Sequence, residues 1–213
     1  RRNNITWSGA RLALRRQEPW GHFINNDLEF KYTQDWNGSG LVLEREVEIE
    51  QSNLFSNYWR AGFFGKLFLP GFNDDDVFRD DNAWIYKTEL WGYVGPSFST
   101  DRRKKIIIGA DIGSGYGEKR GRGYRANLWL KAKPVEQLNI EINALQDRSP
   151  EYMQWVDIIE NLNDTIRVYA NSVLLTKDVN MRLDWTFSPR LTFQCYMQPF
   201  YANMDYKEFF RLK

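Results

Sequence analysis

The sequence predicts an all-β protein, an up-and-down antiparallel transmembrane β-barrel of about ten crossing strands. Three observations carry this reading. The stretch Gly40 to Gln51 is GLVLEREVEIEQ. Successive side chains of a strand alternate in direction, so Leu41, Leu43, Val47 and Ile49 share one face and Glu44, Glu46, Glu48 and Glu50 the other. Arg45 alone interrupts the apolar face. The same two-faced pattern then recurs along nearly the whole chain in runs of roughly ten residues, against about five or six for strands of soluble proteins. Finally, the connections sort into two alternating sets, 18–25, 52–57, 95–103, 134–137 and 188–190 against 35–40, 70–83, 116–123 and 148–172, the second generally longer. Outer-membrane barrels have short periplasmic turns and long external loops, and the two ends are assigned accordingly.

The elements follow in order. Ile5 to Arg16 places Trp7, Ala10, Leu12 and Leu14 among Arg11, Arg15 and Arg16, with a phase change near Gly9. Glu18 to Gly21 turns, and Leu28, Phe30 and Tyr32 then oppose Asp27, Glu29, Lys31 and Thr33. Asn37-Gly38 is expected to supply the positive backbone angles of a hairpin leading into the Glu-rich strand. Tyr58 to Leu69 puts Trp59, Ala61, Phe63, Leu67 and Leu69 opposite Arg60 and Lys66. An acidic loop, 71–82, leads to Trp84, Tyr86, Thr88 and Leu90, read as a strand opposing Lys87 and Glu89.

A polar turn at 100–104 precedes Ile106, Ile108, Ala110 and Ile112, opposed by Gly109, Asp111 and Gly113. Tyr124, Ala126, Leu128, Leu130 and Ala132 face away from Arg125, Asn127, Lys131 and Lys133. Leu138, Ile140, Ile142 and Ala144 alternate with Asn139, Glu141 and Asn143. Residues 148–172 read as the longest connection, with a small hairpin around Asn163-Asp164. Val179 to Phe187 and Leu191 to Met197 complete the pattern, with Arg182 and Asp184 on the polar side of the first and Tyr196 on that of the second.

Composition excludes several classes. Aromatic residues make up 16% and charged residues 27%, which fits neither a disordered polar segment nor an ordinary helical enzyme. The 29 basic and 28 acidic residues are spread throughout, giving no basic stripe of the kind nucleic-acid binders carry. The single cysteine, Cys195, allows neither an intrachain disulfide nor a thiolate metal cluster. No apolar run approaches the length of a membrane helix, an absence that says nothing against barrel strands, whose hydrophobicity sits at every second position. Residues 1–213 are expected to form one barrel domain or barrel segment.

The run from Asn180 to Tyr206, NMRLDWTFSPRLTFQCYMQPFYANMDY, resembles the signature of a Bacteroidetes-type outer-membrane barrel family of uncharacterised function. In it a strand, a Ser/Asn-Pro-x-Leu turn, a second strand and Gln-Pro-Phe follow one another. The opening Arg-Arg-Asn-Asn, Asn57-Tyr-Trp59 and Ser99 to Lys104 are similar as well. The resemblance implies a C-terminal barrel that follows a carbohydrate-binding-module family-9-like domain, located in the bacterial outer membrane. That domain and the family's last aromatic-ended strands have no counterpart here, so the chain is expected to be an internal piece of a larger barrel. Where the family has an Arg-Gly-Gly-Pro-like loop, this chain has Phe78-Arg-Asp-Asp81. The family supplies no catalytic residues.

The side chains expected to face the lumen come strand by strand: Glu44, Glu46 and Glu48; Arg60 and Lys66; Lys87 and Glu89; Asp111; Arg125 and Lys131; Glu141; Arg182 and Asp184. The Glu series could favour cations, but ion pairing with Arg60 and Lys66 on the next strand is the preferred reading. His22, the only histidine, is read as a turn residue rather than as a hydrolase base. Asp74, Asp75, Asp76, Asp80 and Asp81 lack the glycine and terminal glutamate of an EF-hand loop and are read as a solvated external loop. Gly113 to Gly117 lacks the Gly-Lys-Ser/Thr ending of a phosphate loop. No enzyme activity, cofactor or metal is expected. The partners expected are outer-membrane lipid, lipopolysaccharide and carbohydrate, with no nucleic acid. The function expected is a non-enzymatic outer-membrane barrel that anchors a carbohydrate-binding domain or passes a solute. The alternative is a soluble β-sandwich or barrel that binds a carbohydrate or small ligand, its apolar faces meeting within.

Overall fold

Alternating sequence produces strand after strand in the computed structural model, which describes residues 5–74, 85–161 and 164–212. The strands are β1 Thr6–Arg16, β2 Phe23–Trp36, β3 Val42–Phe55, β4 Arg60–Leu69, β5 Phe72–Asn73, β6 Tyr86–Lys87, β7 Trp91–Ser99, β8 Ile106–Gly117, β9 Gly121–Val135, β10 Leu138–Asn161, β11 Asp164–Ser188, β12 Leu191–Met197 and β13 Phe200–Leu212. One eleven-stranded antiparallel sheet runs β1-β2-β3-β4-β7-β8-β9-β10-β11-β12, and β13 pairs with β11 beyond the end of β12. Strands β5 and β6 form a separate two-stranded ribbon in the connection between β4 and β7. The described residues contain no helix long and apolar enough to cross a membrane.

The meander is as expected; closure is not observed. The sheet is open, with β1 at one end of the pairing order and β12 at the other. Several boundaries also move. The crossing strand after the acidic loop is β7, beginning at Trp91, so Lys87 and Glu89 belong to the connection before it. Trp84, Asp75, Asp76 and Phe78 to Asp81 lie outside the described residues. The supposed connection 148–172 consists largely of the paired upper halves of β10 and β11, which stay paired as far as Asn161 and Asp164. It was hidden because register shifts between Glu151 and Gln154 and between Trp155 and Asp157 break the alternation there. Strand β13, not anticipated, continues the line of β12 after Gln198-Pro199, and Val179 N donates to Pro199 O at 3.1 Å.

The β2–β3 hairpin is closed differently from the expectation. Asn37 Oδ1 accepts from Ser39 N at 3.1 Å and Leu41 N at 3.0 Å, and the positive φ of 82° falls on Gly40, not on Gly38. Just beyond, the pairing steps from Asp35 with Glu44 to Trp36 with Val42. Leu43 is the extra residue of that bulge, and it leaves the apolar face for a buried position, its carbonyl lying against Gly71.

Burial is inverted relative to a soluble sandwich. Leu128, Ile108 and Val94 are 53%, 51% and 59% exposed, whereas Glu46 is 8% exposed. Among the described residues only Leu43, Met153, Tyr169 and Ala170 are buried hydrophobics. The accessible surface of 14440 Å² compares with roughly 10,000 Å² for a folded soluble chain of this size. One face is therefore apolar and open, and the other is polar and ion-paired. Residues of β3 and β10 line a single cavity of about 370 Å³, although a flat sheet would hold these strands about 24 Å apart. The sheet thus curls over its ion-paired face.

Candidate functional site on the ion-paired face

The register of β1 to β4 assembles the first part of the site. Lys31 stands opposite Glu48, and Glu48 opposite Lys66. Lys66 Nζ lies 2.8 Å from Glu46 Oε1 and also bonds Glu48, while Lys31 Nζ reaches Glu48 Oε2 at 3.3 Å. Arg11 Nη2 extends the row by meeting Glu29 Oε2 at 2.6 Å. Three expected lumen residues, Glu46, Glu48 and Lys66, are thereby brought into one network, in the ion-paired form. Arg60 is at the far end of β4, opposite Leu54 and Ser99, and takes no part in it.

Aromatic rings continue this face. Lys66 is in register with Tyr93 and Phe68 with Trp91. Phe64–Tyr93, Tyr93–Trp91 and Trp91–Phe68 meet edge to face at 6.2, 5.3 and 5.5 Å. They fit because the facing positions of β8 are glycines: a Cβ at Gly113 would touch the Phe64 ring at 3.3 Å, and one at Gly115 would meet Trp91 at 3.3 Å. Sequence reading gave this face charges, Gly and Asn, and missed its rings. The available signal was the row of glycines on one face of β8, Gly109, Gly113, Gly115 and Gly117, interrupted by Asp111, which leaves space for large neighbours.

At the loop end, Glu89 Oε2 accepts Lys119 N at 2.6 Å and its Oε1 accepts Arg120 N at 2.8 Å. Arg120 Nη1 in turn meets Glu151 Oε2 at 3.2 Å. This ties the β4–β7 connection to the β8–β9 turn and to β10. Glu44 and Glu89 both line the 370 Å³ cavity. The connection also crosses to the β10–β11 hairpin, where Tyr86 Oη donates to Met153 O at 3.2 Å and the Tyr86 ring meets Tyr169 at 6.4 Å. Lys87 is exposed beside it. Asp74 is buried and accepts Asn37 Nδ2 at 2.8 Å, so that member of the acidic loop is not solvated.

At the turn end, two cross-strand rows build a second cavity of about 560 Å³. The upper row is Gly109, Trp129, Asn143 and Asn180; the lower is Ile107, Lys131, Glu141, Arg182 and Tyr196. Lys131 Nζ lies 3.4 Å from Glu141 Oε1, and Arg182 Nε 2.9 Å from Asp184 Oδ2. These four expected lumen residues are therefore neighbours. Asp111 and Arg125 share their face, each in register with polar residues, Asn127 and Asp147 respectively. The Trp129 indole lies over Gly109, where any Cβ would overlap its Cε2 and Cζ2.

The turns at this end are held by a clasp. Asp101, 4% exposed, accepts Arg103 N at 2.9 Å, Nε at 3.0 Å and Nη2 at 2.9 Å. The Arg103 guanidinium lies 3.1 Å from the centroid of the Tyr58 ring. Side-chain and then backbone hydrogen bonds from Arg103 pull the Asp101 carboxyl down to about 2. His22 sits in the neighbouring turn, its carbonyl accepting Ser56 N at 2.9 Å. Cys195 is exposed, opposite Leu183 on the apolar face. Gly113 to Gly117 is extended strand within β8. Among the described residues no group of three His, Cys, Asp or Glu side chains could hold a metal ion.

Against known proteins, the model of one family matches residues 1–213, and its description is a domain of unknown function, DUF5916. No curated protein and no solved structure matches the chain.

Proposed function

The chain belongs to the DUF5916 family, and we propose that it forms part of the wall of a transmembrane barrel in the bacterial outer membrane, non-enzymatic, through which a solute passes. The observation that carries this reading is the inversion of burial, with Leu128 and Ile108 open and Glu46 shielded. An apolar face of this extent is stable against acyl chains and a liability in water. In lipid, the free N–H and C=O groups of the edge strands need partners, so in this reading the barrel closes through strands beyond these eleven. The ion-paired face then becomes the lumen, lined by Glu44, Glu46, Glu48, Lys66, Asp111, Arg125, Lys131, Glu141, Arg182 and Asp184, with Arg60 near the turn end and Lys87 and Glu89 in the loop above. Aromatic residues near the turns, among them Trp59, Trp185 and Phe187, and Trp7 near the loop end, are suited to interfacial girdles. The bilayer partners are lipid and lipopolysaccharide.

Anchoring of a carbohydrate-binding domain is the second reading. It is favoured by the packing of the β4–β7 connection against β10 and β11, which fills part of the interior. Conductance of the complete protein in planar bilayers separates the two. Discrete current steps whose size changes with Glu46→Lys support passage, and a silent bilayer supports the anchor.

A further inference from the structure

The cavity around Trp129 has features that the ion pairs of a lumen wall do not need. Its volume of about 560 Å³ falls in the range of small-molecule sites. Gly109 forms a flat seat for one side of the indole, and the Arg102 guanidinium stands over the ring, 5.9 Å from its centroid. Around that ring the two charge pairs, Lys131 with Glu141 and Arg182 with Asp184, are each internally compensated. The Arg102 guanidinium over that ring has no acidic partner among the described residues. The Asn180 amide is committed on both atoms, donating to Asp178 Oδ2 at 2.7 Å and accepting from Tyr196 Oη at 2.8 Å. The Asn143 amide beside it has no hydrogen-bond partner among the described residues.

We propose that this cavity binds an acidic sugar, a pyranose ring carrying a carboxylate of the uronic-acid class. The apolar C–H face of such a ring stacks on Trp129 in place of the Arg102 guanidinium, which turns aside from the indole. Its carboxylate pairs with Arg102 in a charge-assisted contact that the protein itself leaves unmade. Its hydroxyls meet Asn143 and the rims of the Lys131–Glu141 and Arg182–Asp184 pairs, which offer donors and acceptors in alternation. A neutral sugar uses the ring and the amide but not Arg102. A nucleotide uses the ring and Arg102 but has fewer hydroxyls for the polar rim. The inference rests on the transport reading for its role in passage. Binding in detergent micelles is measured without reference to the membrane, so each can fail alone.

The test is calorimetric titration of the complete protein in micelles with digalacturonate, maltose and adenosine monophosphate. Saturable digalacturonate binding is expected, weakened at least tenfold by Trp129→Ala and by Arg102→Gln and retained by Trp129→Phe. Maltose is expected to bind more weakly and to be indifferent to Arg102→Gln. Arg102 stands in an exposed turn, so its variant keeps the proposal testable if Trp129→Ala fails to fold. Three results would overturn it: no saturable digalacturonate binding, binding unchanged by Arg102→Gln, or tighter binding of the nucleotide.

Discussion

Lys66 Nζ lies 2.8 Å from Glu46 Oε1 and bonds Glu48 on the same strand, so one ammonium serves two carboxylates on the shielded face of the sheet. Lys31 supports only Glu48, at 3.3 Å. Lys66→Met therefore leaves Glu46, only 8% exposed, without a counter-charge. Removing one partner of a buried pair costs about 3 kcal/mol or more. The expected result is a loss of about 3 kcal/mol in urea unfolding from lipid vesicles, with part of it restored by adding Glu46→Gln. A double-mutant cycle isolates that coupling.

The apolar face makes the opposite demand. Leu128 is 53% exposed in mid-strand, opposite Ala110 and Ala144. Against acyl chains, Leu128→Arg is expected to destabilise by about 2–4 kcal/mol. On a water-exposed surface the same substitution changes stability by about 0.5 kcal/mol or less. Unfolding of the variant in vesicles checks this directly.

Period-2 alternation made most of the architecture legible, because a strand with one open and one shielded face writes its register into every second residue. It failed where the backbone departs from that period. Leu43 read as apolar-face because nothing in its own identity reveals the bulge opposite Trp36, and 148–172 read as a loop because two register shifts scramble the phase of β10. Charged members of the site were found one strand at a time, since Glu46, Lys66, Lys131 and Arg182 stand out among polar positions. Their rings were not. Tyr93, Trp91 and Trp129 look like any barrel aromatics until the pairing sets them opposite Lys66, Phe68 and Gly109. Cross-strand information of this kind is absent from a single strand's sequence.

The clasp at the turn end gives a pH dependence of known sign. Arg103 lowers the Asp101 carboxyl to about 2, below the roughly 3.9 of an unfolded aspartate. A depressed carboxylate contributes stability that is fully present above the unfolded value and lost as pH falls through the folded one. Parent and Asp101→Asn should therefore differ by a constant margin in thermal unfolding above about pH 5, and the margin should shrink between about pH 4 and 2. A margin that grows on acidification would show that the carboxylate is not the stabilising form.

Glu89 holds the backbone amides of Lys119 and Arg120 at 2.6 and 2.8 Å. Charge-assisted bonds of this kind contribute about 1.5–3 kcal/mol. Glu89→Ala should accelerate hydrogen exchange at those two amides by about 10- to 100-fold, while the amides of β8 mid-strand keep their rates. Exchange mass spectrometry over residues 115–125 provides the measurement.

The whole account depends on lipid meeting the face that carries Leu128 and water meeting the face that carries Lys131. Nitroxides placed singly at these two positions of the complete protein, with Cys195→Ser, report this by power saturation in lipid vesicles with oxygen and with a water-soluble nickel chelate. The account predicts that oxygen relaxes the label at Leu128 and the nickel chelate the label at Lys131. Equal access of the nickel chelate to both positions, or the reverse order, would contradict it.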